Sequence, residues 1–164
     1  MEAHAKPDPP AAQLERRLYA EIPLTRHIGV RVGAYDRATL TLKAPLAANS
    51  NHKGTAFGGS LFSLAVLAGW GLLVLKLAAR GLEAEIVIQD SEVDYVAPVH
   101  GDFSARATLP DGDEFDRFVR TLERRGRARV QVSVVVSHDG REAVRFKGNF
   151  AAVRPQEPSR VAIG

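Results

Sequence analysis

The stretch Asn49-Ser50-Asn51-His52-Lys53-Gly54-Thr55-Ala56-Phe57-Gly58-Gly59-Ser60, followed without a break by Leu61-Phe62-Ser63-Leu64-Ala65-Val66-Leu67-Ala68-Gly69-Trp70-Gly71-Leu72-Leu73-Val74-Leu75-Lys76-Leu77, decides how this chain is read. Its first half is a polar, glycine-bearing loop. Its second half is the one long apolar run in the sequence. Leu61, Leu64, Ala65, Ala68, Leu72 and Leu75 form a helical stripe, and Phe62, Val66, Trp70, Leu73 and Leu77 cover the opposite side. A helix that is apolar all round is a buried one. The run falls short of the roughly 20 apolar residues of a membrane span, and Lys76 and Arg80 interrupt it, so a core helix is expected, ended by a left-handed Gly81.

The loop gains its interest from the helix that it precedes. The first N–H groups of a helix lack intrahelical partners and carry partial positive charge, which suits an anion or a polarised carbonyl oxygen. Gly58 and Gly59 have no Cβ to keep a ligand from their amides. The same pair also reads simply as a tight turn into a buried helix.

The flanking segments complete the outline. A chain of 164 residues is one domain with short ends: mobile tails are expected at 1–10 and 155–164 around a domain at 11–154. Neither end has the apolar segment of a secretory signal. There is no cysteine, hence no disulfide and no thiolate metal ligand, and a cytoplasmic location is the default. The net charge is only +3. Arg117, Arg120, Arg124, Arg125, Arg127 and Arg129 are a local basic run, but no aromatic residues interleave with Arg124 to Arg129 as base stacking would need, so nucleic acid is not the expected partner. A solvated face, or a contact to coenzyme phosphates, accounts for the run.

Leu14 and Leu18 predict a short amphipathic helix from Ala11 to Ala20. Pro23 breaks or restarts the chain, with Ile22, Leu24 and Ile28 expected to pack inward. Val30 to Tyr35 and Thr39 to Ala44 read as strands joined at Asp36-Arg37. Glu85 to Val96 is a strand with two faces. Val87, Gln89, Ser91, Val93 and Tyr95 are assigned to the helix, which leaves Ile86, Ile88, Asp90, Glu92 and Asp94 outside. Asp102 to Leu109 is another strand, and Phe115, Phe118, Val119 and Leu122 mark a helix stopped by Gly126. Alternation from Ala128 to Val136 and from Val144 to Phe150, about Asp139-Gly140, predicts a hairpin with a primed turn.

One central helix cannot cover both faces of a sheet, so the economical α+β solution is a curved antiparallel sheet wrapped around it. Its long edge strands would be protected by pairing with a second copy.

This layout resembles the hot-dog fold. Asn51-His52-Lys53-Gly54-Thr55-Ala56-Phe57-Gly58-Gly59 is similar to the N-x-x-G-x-x-H-G-G loop of hot-dog acyl-coenzyme A thioesterases. The fuller pattern resembles the thioesterase family typified by the C-terminal domain of YiiD, over roughly Ile22 to Arg154: Gly54 to Ser60, Gly69-Trp70, and Tyr95-Val96-Ala97-Pro98-Val99. The resemblance implies a homodimer or homotetramer acting on an acyl thioester. Coenzyme A or phosphopantetheine would arrive as part of the substrate and not as a cofactor, an acyl-carrier protein is a possible partner, and no membrane is involved. It further implies that Gly58 and Gly59 amides stabilise the oxyanion, and that Asn51 bonds near the thioester or the attacking water. Thr55, Phe57 and Ser63 would line the substrate.

The pattern departs from better-studied thioesterases at two positions. Phe57 stands where they have histidine, and Val66 stands where many carry a helix carboxylate. His52 and Glu92 are the candidates to activate water in their place. A loop histidine beside lysine also reads as solvated, and so do Asp90, Glu92 and Asp94 on a sheet face. Ser63 is expected to bond back to the preceding turn. His27, His100 and His138 have no metal-ligand spacing, and no metal is indicated. Two other functions remain open on the sequence: a hot-dog that binds acyl groups without turnover, and a dehydratase or hydratase built on His52 and a carboxylate of the third strand.

Overall fold

The computed structural model describes residues 9–156. The segments expected as mobile tails lie outside the described residues except for Pro9, Pro10, Pro155 and Gln156. Ten elements follow in order: α1 (Pro10–Glu21), α2 (Leu24–Ile28), β1 (Arg31–Tyr35), β2 (Thr39–Ala44), α3 (Gly58–Ala78), β3 (Glu85–Tyr95), β4 (Phe103–Thr108), α4 (Gly112–Arg125), β5 (Arg127–His138) and β6 (Arg141–Val153).

The six strands form one antiparallel sheet in the order β1-β2-β4-β5-β6-β3. It curves around α3, which packs against β2, β3, β4, β5 and β6. The apolar helix is therefore the core: Leu64, Ala65, Ala68, Leu72 and Leu73 are fully buried. Each such leucine contributes about 1.5–3 kcal/mol of burial. By length and composition α3 could cross a bilayer, but the sheet already covers most of it. Helix glycines normally cost stability, but here they let the sheet come close. A Cβ at Gly69 would sit 3.0 Å from the Phe150 ring, and one at Gly71 would sit 2.9 Å from Leu40.

The hairpin forms as its alternation predicts. Ala128, Val130, Val132, Val134 and Val136 are buried on the helix side, and Asp139 (φ 50°) and Gly140 (φ 73°) make the primed turn. Gly81 (φ 68°) and Gly126 (φ 73°) are left-handed behind α3 and α4. The six arginines from Arg117 to Arg129 are all exposed.

Two expectations fail. Leu24 is 51% exposed, and Thr25 is buried in its place with its hydroxyl donating to Ile22 O at 2.7 Å. The short helix α2 places Thr25 and Ile28 inward, one turn apart, and the hydroxyl is affordable because it is bonded. In β3 the face assignment holds for only half of the strand. The register against β6 slips between Ile88 and Asp90, so the strand has an extra residue there. Before the slip Ile86 and Ile88 face the helix, and Val87 is 55% exposed. After it Ser91 and Val93 turn inward, while Asp90, Glu92 and Asp94 are exposed as expected. A bulge changes which side chains face in, and a strict period of two cannot register it.

Candidate functional site

The loop before α3 is built from its own hydrogen bonds. Asn49 is buried, and its Nδ2 donates to Ile28 O at 2.9 Å and to Pro45 O at 2.7 Å. Its backbone carbonyl accepts the Phe57 N–H at 2.7 Å, which ties the two ends of the loop together. Between them Ser50 and Ala56 form an isolated bridge, and the Ala56 N–H donates to Val99 O at 2.9 Å. Asn51 organises the inside of the loop. Its Oδ1 accepts from the Lys53 and Thr55 N–H groups at 2.8 and 3.2 Å, and its Nδ2 donates to Thr55 Oγ1 at 2.9 Å. Gly54 closes the turn at φ 77°, a conformation that a side chain would strain.

The chain leaves this loop in extended conformation at Phe57 (ψ 132°) and enters α3 at Gly58. The Phe57 carbonyl takes up the Ser60 and Leu61 N–H groups at 2.9 and 3.1 Å. No side chain caps the helix. The Gly58 and Gly59 N–H groups therefore have no acceptor among the described residues, and they stand at the positive end of a 21-residue helix. Both glycines are partly exposed, so solvent reaches the helix tip.

Two aromatic rings flank the tip. The Phe57 ring lies over Gly59 so closely that a Cβ there would meet it at 2.4 Å, and Phe57 is 56% exposed. On the other side Tyr95, also 56% exposed, donates its hydroxyl to Gly58 O at 3.0 Å, with its ring 3.4 Å from where a Gly58 Cβ would be. In the single chain this is an open shelf. Depressions of about 700 and 730 Å³ lie elsewhere, one bounded by Tyr19, Lys43, Ser104 and Ser137, the other by Gln89, Thr121 and Arg129.

The expected residues divide accordingly. Asn51, Thr55, Phe57, Gly58, Gly59 and Ser63 belong to the loop or the first turns of α3. Ser63 donates to Gly59 O at 2.8 Å, the backward bond expected of it. His52 is in the same loop, exposed and with no bonded partner among the described residues. Glu92 is not part of this cluster within one chain. It is exposed on the outer face of β3, opposite Lys147 in register, and β3 is an edge of the sheet. Trp70, read as core packing, is half-buried with its indole N–H on Ile86 O at 3.1 Å. Among the described residues no group of His, Asp and Glu is arranged to hold a metal.

Sequence reasoning missed two contributors. Asn49 begins the quoted stretch, but nothing in its local pattern marks it as the buried one of two nearby asparagines. Tyr95 was visible in the Tyr95-Val96-Ala97-Pro98 run and on the inward face, yet its bond to Gly58 spans 37 residues.

Comparison with known proteins agrees with this fold. A protein of unknown function from Chlorobaculum tepidum is similar at 32% identity and TM-score 0.85, over 88% of this chain and 94% of that one. A protein described as a "putative thioesterase" from Shewanella oneidensis is similar at 26% identity and TM-score 0.80, over 88% and 97%. The thioesterase HI1161 from Haemophilus influenzae shares the fold, with 15% identity, TM-score 0.71 and coverage of 91% and 94%. These structures place the chain among hot-dog proteins, and its residues 11–154 match the family described as "Putative thioesterase (yiiD_Cterm)", to which it therefore belongs.

Proposed function

We propose that the protein hydrolyses an acyl thioester carried on coenzyme A or on the phosphopantetheine of an acyl-carrier protein. The observation that carries this reading is the pair of unpartnered Gly58 and Gly59 amides at the solvent-reached tip of α3. A thioester carbonyl oxygen placed there accepts both N–H groups. As the oxygen of water attacks the carbonyl carbon, negative charge collects on that oxygen, and the two amides and the helix dipole hold it. The carbon–sulfur bond then breaks, the thiolate leaves and takes a proton, and the acyl group departs as a carboxylate. One such donor is worth about 3–4 kcal/mol in the transition state.

Asn51 spends its Oδ1 and one Nδ2 hydrogen on the loop, which leaves the second hydrogen for the water or the thioester. Phe57, Thr55 and Ser63 line the entrance. His52 acts on the water from the loop, or Glu92 does so from the edge strand of a second copy. A homodimer or homotetramer fits the structure because β3 is an 11-residue edge strand with an exposed valine at Val87, and because the Phe57 and Tyr95 rings that flank the helix tip are themselves exposed in the single chain. The acyl chain runs along α3.

A binding module without turnover is the second reading. Phe57 and Val66 occupy the positions of the usual histidine and carboxylate, and neither side chain can move a proton. A thiol-release assay across short, medium and aromatic thioesters, run beside size-exclusion chromatography, separates the two. Release of free thiol that is abolished in a folded Asn51→Ala variant supports hydrolysis. Saturable binding with no release in any thioester establishes the module.

A further inference from the structure

We propose that Tyr95 is a positioning residue for the oxyanion site: it holds the peptide unit that carries one of its two donors, the Gly59 N–H. This rests on the hydrolytic reading above. The carbonyl of Gly58 and the N–H of Gly59 belong to one planar peptide, so whatever fixes the one aims the other. The Tyr95 hydroxyl donates to Gly58 O at 3.0 Å, and its ring packs at 3.4 Å against the position of a Gly58 Cβ.

Two consequences follow from that contact. The peptide sits between two glycines, the residues least able to resist rotation of a peptide plane, in the first turn of a helix with no side-chain cap. A bond from a separate strand restrains it there. A hydrogen bond to a peptide carbonyl also polarises that peptide and makes its own N–H a stronger donor. Tyr95 thus acts on the Gly59 N–H from the far side of the peptide, without touching the substrate oxygen.

The strand delivers Tyr95 to this place by a route that the bulge makes possible. The slip between Ile88 and Asp90 brings Ser91 and Val93 to the inner side, and Tyr95 continues that series to the tip of α3. The two residues that follow are also pinned: the Val96 and Ala97 N–H groups both donate to Ala143 O, at 2.7 and 3.2 Å. The tyrosine therefore reaches the helix from a backbone that is fixed on both sides. Ser63 makes an analogous bond one carbonyl further along, to Gly59 O, but the N–H of that peptide belongs to Ser60 and is already bonded to Phe57 O. Of the two hydroxyls, only Tyr95 acts on a peptide whose N–H is open.

The test is Tyr95→Phe, which keeps the ring contact and removes only the hydroxyl. In the thiol-release assay kcat should fall about five- to tenfold with KM within about twofold, because the lost polarisation matters most when charge is on the oxygen. In the protein without substrate, the Gly59 amide proton and nitrogen resonances should move, while those of Ser60, whose peptide carries the Ser63 bond, should stay in place. Equal kcat and an unmoved Gly59 resonance in the variant overturn the proposal while leaving hydrolysis intact. A loss confined to KM also overturns it, since that is the mark of a substrate contact. If the wild-type protein releases no thiol at all, the hydrolytic reading fails, and with it the role in catalysis. The Gly59 resonance still shows separately whether Tyr95 holds that peptide.

Discussion

Asn49→Ala is the substitution with the largest predicted effect on the loop that presents the site. The residue is 4% exposed, and its side-chain Nδ2 supplies hydrogen bonds of 2.9 and 2.7 Å to the carbonyls of Ile28 and Pro45. Alanine removes both donors and leaves two inward carbonyls without that partner. Each such loss typically costs about 1–3 kcal/mol, so the sum is about 2–4 kcal/mol once local relaxation is allowed for. For a domain of this size that corresponds to a drop in Tm of roughly 4 to 16 °C. Differential scanning calorimetry or a urea titration reads it directly. Asn51→Ala is the internal comparison, because its partners lie in a partly exposed loop where water can replace them, and its cost should stay below about 1 kcal/mol. Asn49→Asp should rescue nothing, since a carboxylate would face two carbonyl oxygens. A melting temperature for Asn49→Ala within a degree or so of wild type would refute the reasoning, and would mean that the loop is held from elsewhere.

Two further outcomes are expected. Gly59→Ala puts a methyl group 2.4 Å from the Phe57 ring, which must swing aside across the helix tip, so thiol release should fall about 10- to 100-fold with little change in melting temperature. Full activity in that variant would remove Gly59 from the site. Asp36 has its carboxyl held below the usual value of 3.8, first by the Thr39 backbone N–H and then by that of Ala38. Its folded value is the lower one, so its stabilising contribution is present above the ordinary carboxylate value and is lost as pH falls through the lowered one. Asp36→Ala should therefore lower the urea midpoint at neutral pH, and the gap to wild type should close on acidification. A gap that persists in acid would argue against these bonds.

Much of this architecture could be read along the chain because its signals are local. An all-round apolar run too short for a membrane span and interrupted by Lys76 reads as a buried core helix, so α3 and the sheet around it follow from Leu61 to Leu77. The alternation of Ala128 to Val136 and the Asp139-Gly140 pair specify a hairpin by side-chain period and by the backbone freedom of the turn. The open amides of Gly58 and Gly59 are legible in the same way, since a glycine pair after a polar loop marks where a helix begins without a cap.

What needed the tertiary structure is whatever depends on a partner distant in sequence. The register slip past Ile88 is a property of β3 against β6, and no pattern within β3 alone announces it. Thr25 is buried in place of Leu24 because α2 is only five residues long and turns Thr25 and Ile28 inward, one helical turn apart. Asn49 and Asn51 look alike as residues two apart, yet one reaches back to Ile28 and Pro45 in the interior and the other stays within its own turn. Tyr95 and Gly58 meet only because a strand and a helix converge at one end of the fold. Local chemistry settles which segments can be helix or strand, whereas hydrogen bonds between distant segments settle which side chains arrive at the same place.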